Sequence, residues 1–256
     1  MPAISESMGV KIVTFYPENQ SKGLHTHHAL IMVLDTESGE PGAVLDGRLI
    51  TEMRTAVVSA AATRLLASEN ASTLAILGSG VQARSHVEAI RCVRDIDDVR
   101  VGSRDPLNAA RFATEVRATA MSAREAVEGA AIVVTATAAT ESVLEGKWLS
   151  DGVHVNAVGW NGPDGRELDD DAMSSLVFVD SRQGAADEAG NILCSAAKVT
   201  AEIGAVLAAP LSQWRSEKTV FDSVGMAVEG VVAAQWFSIV SPADSLETGN
   251  LVVVGR

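Results

Sequence analysis

The sequence predicts an α/β fold: a doubly wound parallel sheet over residues 68–214, inserted between flanks 1–67 and 215–256 that together form a smaller α+β domain. Three observations point there. Between residues 74 and 180, short apolar strands alternate with helical stretches, the rhythm of a parallel sheet. A turn, Gly78-Ser79-Gly80, joins the first of those strands to the first of those helices. Neither flank is long enough for a core of its own, so the two are expected to share one.

Taken in order, residues 9–16 and 29–35 (ALIMVLD) read as strands, the first loosely alternating and the second continuously apolar. A turn at Ser38–Gly42 leads into a short strand, AVLD. A helix is expected from Thr51 to Ala67, with Thr51 as N-cap and Met53, Val57, Ala60, Ala61 and Leu65 on its apolar face. The inserted sheet then reads as strands at 74–79, 99–103, 131–137, 154–159 and 176–180, with helices through Val93 and at 106–116 and 123–130. One tail helix, 225–240, returns to the N-terminal flank.

Composition excludes several classes. Of 256 residues, 47% are hydrophobic and 21% charged, ordinary for a globular chain. The net charge of −13 argues against phosphate-backbone binding, which needs a basic face. Cys92 and Cys194 are far apart and outside any CxxC pattern, so no disulfide framework is expected and a reducing, cytoplasmic setting is. No stretch approaches the roughly 20 apolar residues of a membrane span, and the N-terminus does not read as a signal peptide. Partners are expected to be small molecules, with neither nucleic acid nor membrane among them.

The strongest chemical signal is LAILGSGVQARSH, residues 74–86, a GxGxxA fingerprint of Rossmann type. Gly78 permits the tight turn, Gly80 leaves room for a pyrophosphate, and Ala83 lets helix and strand pack closely. The helix N-terminus, with Val81 and Gln82, offers free N–H groups and a favourable dipole to the anion. Cofactor choice turns on Gly102-Ser103-Arg104-Asp105. Ser103 is small and neutral and Arg104 suits a 2′-phosphate, so NADP is expected. The alternative is NAD, with Arg104 solvated and Asp105 on the ribose.

At this point the chain resembles the ornithine cyclodeaminase/mu-crystallin family. The matching segments are GVKIVTFYPEN (9–19), GLHTHHALIMVLDTESGEP (23–41), LDGRLITEMRTA (45–56), LAILGSGVQARSHVEAI (74–90), AIVVTATAA (131–139), HVNAVGWNGPDGRELDDDAM (154–173), VFVDSRQGAADEAGNI (177–192) and SVGMAVEGVVAA (223–234). The resemblance implies a Rossmann domain inserted in a substrate and dimerisation domain, a nicotinamide cofactor, a small amino acid or cyclic imine as substrate, and a homodimer. It places the family's lysine on Lys11 and its arginine on Arg54. Both suit an amino acid's carboxylate. It adds Thr135, Ala136, Thr137, Val158, Gly159, Ser223 and Gly225 as cofactor-binding candidates.

Three departures matter. The aspartate of cyclodeaminases falls on Asn161, whose amide does not titrate and so does not serve as a general base. With PDGRELDD (163–170), this points to the ketimine reductase branch and keeps Asn161 as a candidate that orients substrate. Relatives have roughly 60 more residues before the GVK segment, a third to a half of a typical domain, including another substrate arginine. The chain as written is therefore expected to bind NADPH normally and substrate poorly, and to expose apolar surface. Asp222 and Gly230 stand where relatives tend to have Lys and Asp.

The remaining features read as structural. His25, His27 and His28 lack a carboxylate or thiolate partner of known geometry, so no metal is expected. His86 reads as a surface or cofactor-adjacent residue, Glu167–Asp171 as a solvated acidic face, and Trp148 as packing. Trp160 reads as packing or an active-site wall, and Asp187 and Glu188 have no assigned role. The expected function is an NAD(P)-dependent reductase or dehydrogenase acting on a cyclic imine or small α-amino acid. Ornithine cyclodeamination and non-catalytic NADPH binding are the alternatives.

Overall fold

The computed structural model describes residues 7–210, 212–240 and 252–254. The chain runs through β1 (Met8–Phe15), β2 (His27–Leu34), β3 (Pro41–Asp46) and the long helix α1 (Gly47–Leu66). Next come β4 (Thr73–Leu77), α2 (Val81–Arg91), β5 (Asp98–Gly102), α3 (Pro106–Val116) and β6 (Thr119–Met121). Then follow α4 (Ala123–Val127), β7 (Ile132–Thr135), β8 (His154–Ala157) and β9 (Leu176–Val179). Helices α5 (Arg182–Glu188) and α6 (Gly190–Ser195), strand β10 (Val199–Glu202) and helix α7 (Ile203–Ala208) lead to β11 (Thr219–Asp222). The last described elements are α8 (Ala227–Val240) and β12 (Val252–Val254).

Two units emerge: Met1–Arg54 with Met226–Arg256, and Thr55–Gly225 inserted in the sequence between them. In the inserted unit eight strands form one sheet, ordered β10-β9-β11-β8-β7-β4-β5-β6, and every pairing is parallel. Five of these strands are legible in the sequence. The other three are short. β6 and β10 are edge strands that bond to one neighbour only, so they need no long apolar run. β11 is fully buried between β8 and β9, although its four residues end in an aspartate.

The alternation of side chains splits the core into two layers. Ala75, Leu77, Val133, Val155, Val177 and Val220 belong to one cluster. Leu74, Ile76, Val99, Val101, Ile132 and Val134 belong to another. A third cluster packs Ala62 and Leu66 of α1 on Phe178 and Phe221. That packing and β11 both fall within the inserted unit Thr55–Gly225.

α1 differs from its expected form in two ways. It begins at Gly47, one turn earlier, and the Thr51 hydroxyl donates to the Gly47 carbonyl at 2.6 Å instead of capping. Its buried face holds Ala56, Ser59, Ala60, Thr63 and Leu66, whereas Met53 and Val57 are exposed. Two partners decide this. Ser59 meets His86 Nε2 at 2.9 Å, and the Thr63 hydroxyl accepts from Asn156 Nδ2 at 3.0 Å. Small polar residues with buried partners thus outcompete larger apolar ones for the inner face.

In the other unit the sheet order is β1-β2-β3-β12, with β1, β2 and β3 antiparallel. Val231 and Ala234 of α8 pack on Ile31, Val33, Ala43 and Leu45. Lys11 lies opposite Ile31 and so shares that helix-covered face. Val10 opposite Met32, and Ile12 opposite Leu30, line the other face, where Val10, Ile12 and Leu30 are exposed.

Candidate functional site

The fingerprint lies where the sheet's winding reverses. β4 and β7 are neighbours, but the chain leaves β4 toward β5 and leaves β7 toward β8 on the opposite side. The crevice at such a switch point is where dinucleotides sit. Gly78 follows β4 with φ +126, and its N–H donates to the Gly102 carbonyl at 2.8 Å. A Cβ there would come within 2.4 Å of the Ala136 carbonyl, so only glycine fits. Gly80, the N-cap of α2, is the reverse case: among the described residues nothing lies within 4 Å of a Cβ built on it. This open space above a helix N-terminus suits a pyrophosphate, so these residues fit a dinucleotide. Ala83 is fully buried, Val81 is exposed, and the buried Gln82 Oε1 has no hydrogen-bond partner among the described residues.

At the end of β5, the Ser103 and Ser79 hydroxyls lie 3.2 Å apart. Arg104 is exposed. Asp105 caps α3, accepting from Leu107 N at 2.9 Å and Asn108 Nδ2 at 2.9 Å. That employment competes with a ribose contact. Arg84, not singled out in the sequence, donates to Glu115 at 2.8 Å and to the Ser79 carbonyl at 3.1 Å, which braces the turn.

The ends of β7 and β8 are held by one carboxylate. Glu167 accepts from Thr135 Oγ1 at 2.9 Å, Thr137 N at 2.8 Å, Thr137 Oγ1 at 2.6 Å and Gly159 N at 2.8 Å. It is completely buried, which corrects its reading as part of a solvated acidic face. Burial pushes its pKa up, while the bonds from Thr137, Thr135 and Gly159 pull it down. Of the same run, Asp169 accepts from Gly146 N and Ala172 N, while Asp170 and Asp171 are exposed. Val158 is buried beside this carboxylate-held segment.

A second buried group sits at the ends of β9 and β11. Asp180 Oδ2 accepts from Ser223 Oγ at 2.8 Å and from the N–H of Gly225, a residue with φ +78, at 2.7 Å. Asn191 donates to Asp222 at 3.1 Å and accepts from Glu167 N and Leu168 N. Burial raises the Asp222 pKa to about 7, with further repulsion from Glu167 and Asp180. Asn161 donates to the Val224 carbonyl at 3.3 Å.

The other unit holds a separate charged group. Arg54 NH1 donates to Glu229 Oε2 at 2.7 Å, and each side chain is only 12% exposed. Glu229 Oε2 also accepts from Met226 N at 3.2 Å. The buried Arg54 Nε has no hydrogen-bond partner among the described residues. Lys11 faces the same place: a Cβ on Gly230 would lie 3.2 Å from its Cδ and 3.7 Å from its Nζ. Burial and the Arg54 charge lower the Lys11 pKa to about 8, against an opposing pull from Glu229.

The inserted unit therefore gathers the fingerprint, Thr135–Thr137, Val158, Gly159, Asn161, Ser223 and Gly225, and the other unit gathers Lys11 with Arg54. The residues missed are acids and amides whose partners are remote in sequence: Glu167, Asp180, Asn191, Asp222 and Glu229. For Asp180 and Asp222, a polar residue ending an apolar strand was the available signal.

Other sequence candidates are placed as follows. His86 is fully buried, bonding Ser59 and the Gln82 carbonyl at 2.7 Å, which overturns the surface half of its surface-or-cofactor-adjacent reading. His25 lies 2.8 Å from Arg48 NH1 and His27 stacks on Phe15 at 4.4 Å. Trp148 packs on a core cluster, and Trp160 lies against Gly162 and Gly165. Asp187 and Glu188 are exposed on α5. No described helix is long and apolar enough to cross a membrane.

A family profile described as "Ornithine cyclodeaminase/mu-crystallin family" matches residues 1–238. "Ketimine reductase mu-crystallin" of Rattus norvegicus is 42% identical over 242 residues, covering 92% of this chain and 77% of that protein. The structure of Thermococcus litoralis Delta(1)-pyrroline-2-carboxylate reductase in complex with NADH and L-proline is similar with a TM-score of 0.85 and 35% identity. That match covers 90% of this chain and 77% of the other. An archaeal alanine dehydrogenase dimer with bound NAD gives a TM-score of 0.87 and 30% identity, covering 93% and 80%.

Proposed function

Because the chain belongs to the ornithine cyclodeaminase/mu-crystallin family, we propose that it is an NAD(P)H-dependent oxidoreductase that reduces the C=N bond of a small cyclic imine carboxylate, a ketimine. The observation that carries this reading is a pair of cations, nearly buried Arg54, whose Nε has no partner among the described residues, and half-buried Lys11, a carboxylate anchor in a chain that also bears a dinucleotide cradle. The relatives named for ketimine and pyrroline-2-carboxylate reduction support it.

When bound, the reduced nicotinamide supplies the hydride for the imine carbon. The chain does the rest. Gly80 and the α2 N-terminus, with Val81 and Gln82, would hold the pyrophosphate, while Gly78 makes the turn and Ala83 packs α2 on the sheet. Glu167 sets Thr135, Thr137 and Gly159, and Asp180 sets Ser223 and Gly225, through buried hydrogen bonds at these strand ends. Arg54 and Lys11 hold the substrate carboxylate, and the protonated Lys11 Nζ is the proton source for the imine nitrogen. Asn161 carries a neutral amide where the resemblance places the aspartate of cyclodeaminases. Having no titrating group, it disfavours ornithine cyclodeamination, which requires a base.

We assign a preference for NADP over NAD to Arg104, exposed at the end of β5 while Asp105 is committed to capping α3. A homodimer is supported by the exposed apolar sheet face at Val10, Ile12 and Leu30 and by the alanine dehydrogenase dimer among the neighbours. The inserted unit is read as the cofactor domain and the other as the substrate and dimerisation domain.

The test is oxidation of NADPH and NADH with Δ1-pyrroline-2-carboxylate and Δ1-piperideine-2-carboxylate. Turnover with either substrate is expected. No oxidation with these imines, or with pyruvate plus amines, overturns the reading. Proline and ammonia made from ornithine without net cofactor turnover would replace it with the cyclodeaminase.

A further inference from the structure

The carboxylate anchor contains a feature that binding a substrate carboxylate does not itself demand: an anionic side chain, Glu229. Around Lys11, the charged side chains that act on it are Arg54 from α1 and Glu229 from α8, while β2, the strand paired with β1, places the uncharged Ile31 opposite. Glu229 occupies NH1 of Arg54 at 2.7 Å, and both groups are nearly buried. Its Oε2 is itself tied to the first turn of α8 through Met226 N. The carboxylate is thus held by two contacts, and the buried Nε of the guanidinium has no partner among the described residues. Two cations and one anion sum to a single positive charge.

A nearly buried site tolerates a ligand whose charge matches it, because an uncompensated charge there costs far more than at a surface. We propose that Glu229 is a specificity-determining residue that restricts this anchor to monocarboxylate substrates and excludes dicarboxylate imines. It does so by neutralising one cation and by closing one of the two guanidinium edges. A second carboxylate on the substrate would meet Glu229 instead of a free cation, and like charges at short range in a poorly hydrated site repel. This inference rests on the imine reductase reading, since it names the substrate class of the same anchor.

The experiment compares wild type, Glu229→Gln and Glu229→Asp in the full chain. Each is assayed for kcat/KM on Δ1-pyrroline-2-carboxylate and on the linear imine formed from a 2-oxo dicarboxylate and ammonia. In parallel, calorimetric titrations with L-proline and L-aspartate read the anchor without turnover. Wild type is expected to favour the monocarboxylate in both assays. Glu229→Gln, nearly isosteric, should shift the mono-to-dicarboxylate ratio toward the dicarboxylate by about tenfold or more, the effect of one charge-assisted contact. Glu229→Asp should retain the wild-type ratio. The alkaline limit of monocarboxylate binding should also move to lower pH in Glu229→Gln, because Glu229 helps keep Lys11 protonated.

An unchanged ratio in a Glu229→Gln protein with wild-type melting behaviour overturns the inference. So does a wild-type protein that binds L-aspartate as well as L-proline. If no imine is reduced but the binding ratio shifts as expected, the reductase reading fails and the role of Glu229 stands. If imines are reduced with an unmoved ratio, the reverse holds.

Discussion

The backbone N–H of Gly159 donates to Oε2 of Glu167 at 2.8 Å, and a side chain on Gly159 would collide with Oε1 of the same carboxylate at 2.3 Å. The pair is therefore fixed from both sides: the acid needs the glycine's amide, and the glycine has no room for a Cβ. Glu167→Gln replaces one acceptor oxygen with a donor and sets it against other donors. The expected loss is about 2–4 kcal/mol of stability, because at least one buried group goes unsatisfied. Affinity for NAD(P)H should fall as well, since Thr135–Thr137 lose their anchor. Thermal unfolding and a cofactor titration check this, and wild-type values in both would remove Glu167 from its structural role.

Gly80 and Gly78 are two residues apart and should respond to substitution in opposite ways. Gly80→Val meets open space, so the folded chain should melt near the wild-type temperature yet fail to bind dinucleotide, whose phosphates need that space. Gly78→Ala places a Cβ 2.4 Å from the Ala136 carbonyl at positive φ, so it should destabilise the fold itself. Calorimetry on Gly80→Val that finds unchanged NADPH affinity would move the cofactor site elsewhere.

Arg104→Asp separates the two cofactors. A 2′-phosphate loses a charge-assisted partner worth roughly 1.5–3 kcal/mol, whereas a ribose hydroxyl loses little. NADPH affinity should fall much further than NADH affinity. An equal fall for both would reject the NADP assignment.

Lys11 ties substrate binding to pH. Its pKa, lowered to about 8 by burial and by Arg54, leaves it mainly protonated at neutrality and neutral above pH 9. A carboxylate binds the charged form, so affinity should be level below about pH 7 and decline by about tenfold per pH unit well above 8. In Lys11→Met the decline should vanish and affinity should be uniformly low. A wild-type profile flat to pH 10 would exclude Lys11 from the anchor.

Asp222 ties stability to pH with the opposite chemistry. Its folded pKa is raised from 3.8 to about 7, so the folded chain holds a proton that the unfolded chain releases. The associated stability is present below the unfolded value and is lost as pH rises through 7. Asp222→Asn removes the ionisation, and its advantage over wild type should be larger at pH 8 than at pH 5, reaching about 1–3 kcal/mol. Denaturant unfolding at the two pH values reads the difference, and an equal effect at both contradicts the assignment.

Much of this protein is legible without coordinates because its signals are local. The βα rhythm follows from runs such as Leu74–Leu77 and Ile132–Thr135, whose burial on both faces requires continuous apolar sequence. Gly78 and Gly80 announce the cradle because a turn and an approaching anion each act on neighbouring atoms. The helix at 106–116 is legible from adjacent residues alone, whereas the capping role of Asp105, read in the sequence only as a ribose contact, is not.

What the tertiary structure alone decided are pairings between residues far apart in the chain. Glu167 in an acidic run looks solvated until Thr135 and Gly159 are brought to it from two strand ends. Arg54 and Glu229 are 175 residues apart, and their contact appears only when α8 returns to the sheet that precedes α1. The inner face of α1 was decided the same way, by His86 and Asn156 reaching for Ser59 and Thr63. Apolar periodicity reports how much surface a segment buries. It does not report which buried polar atom finds a partner, because that depends on ångström-scale geometry set by the whole fold, and an unpaired buried polar group costs too much for the chain to leave the matter to hydrophobicity.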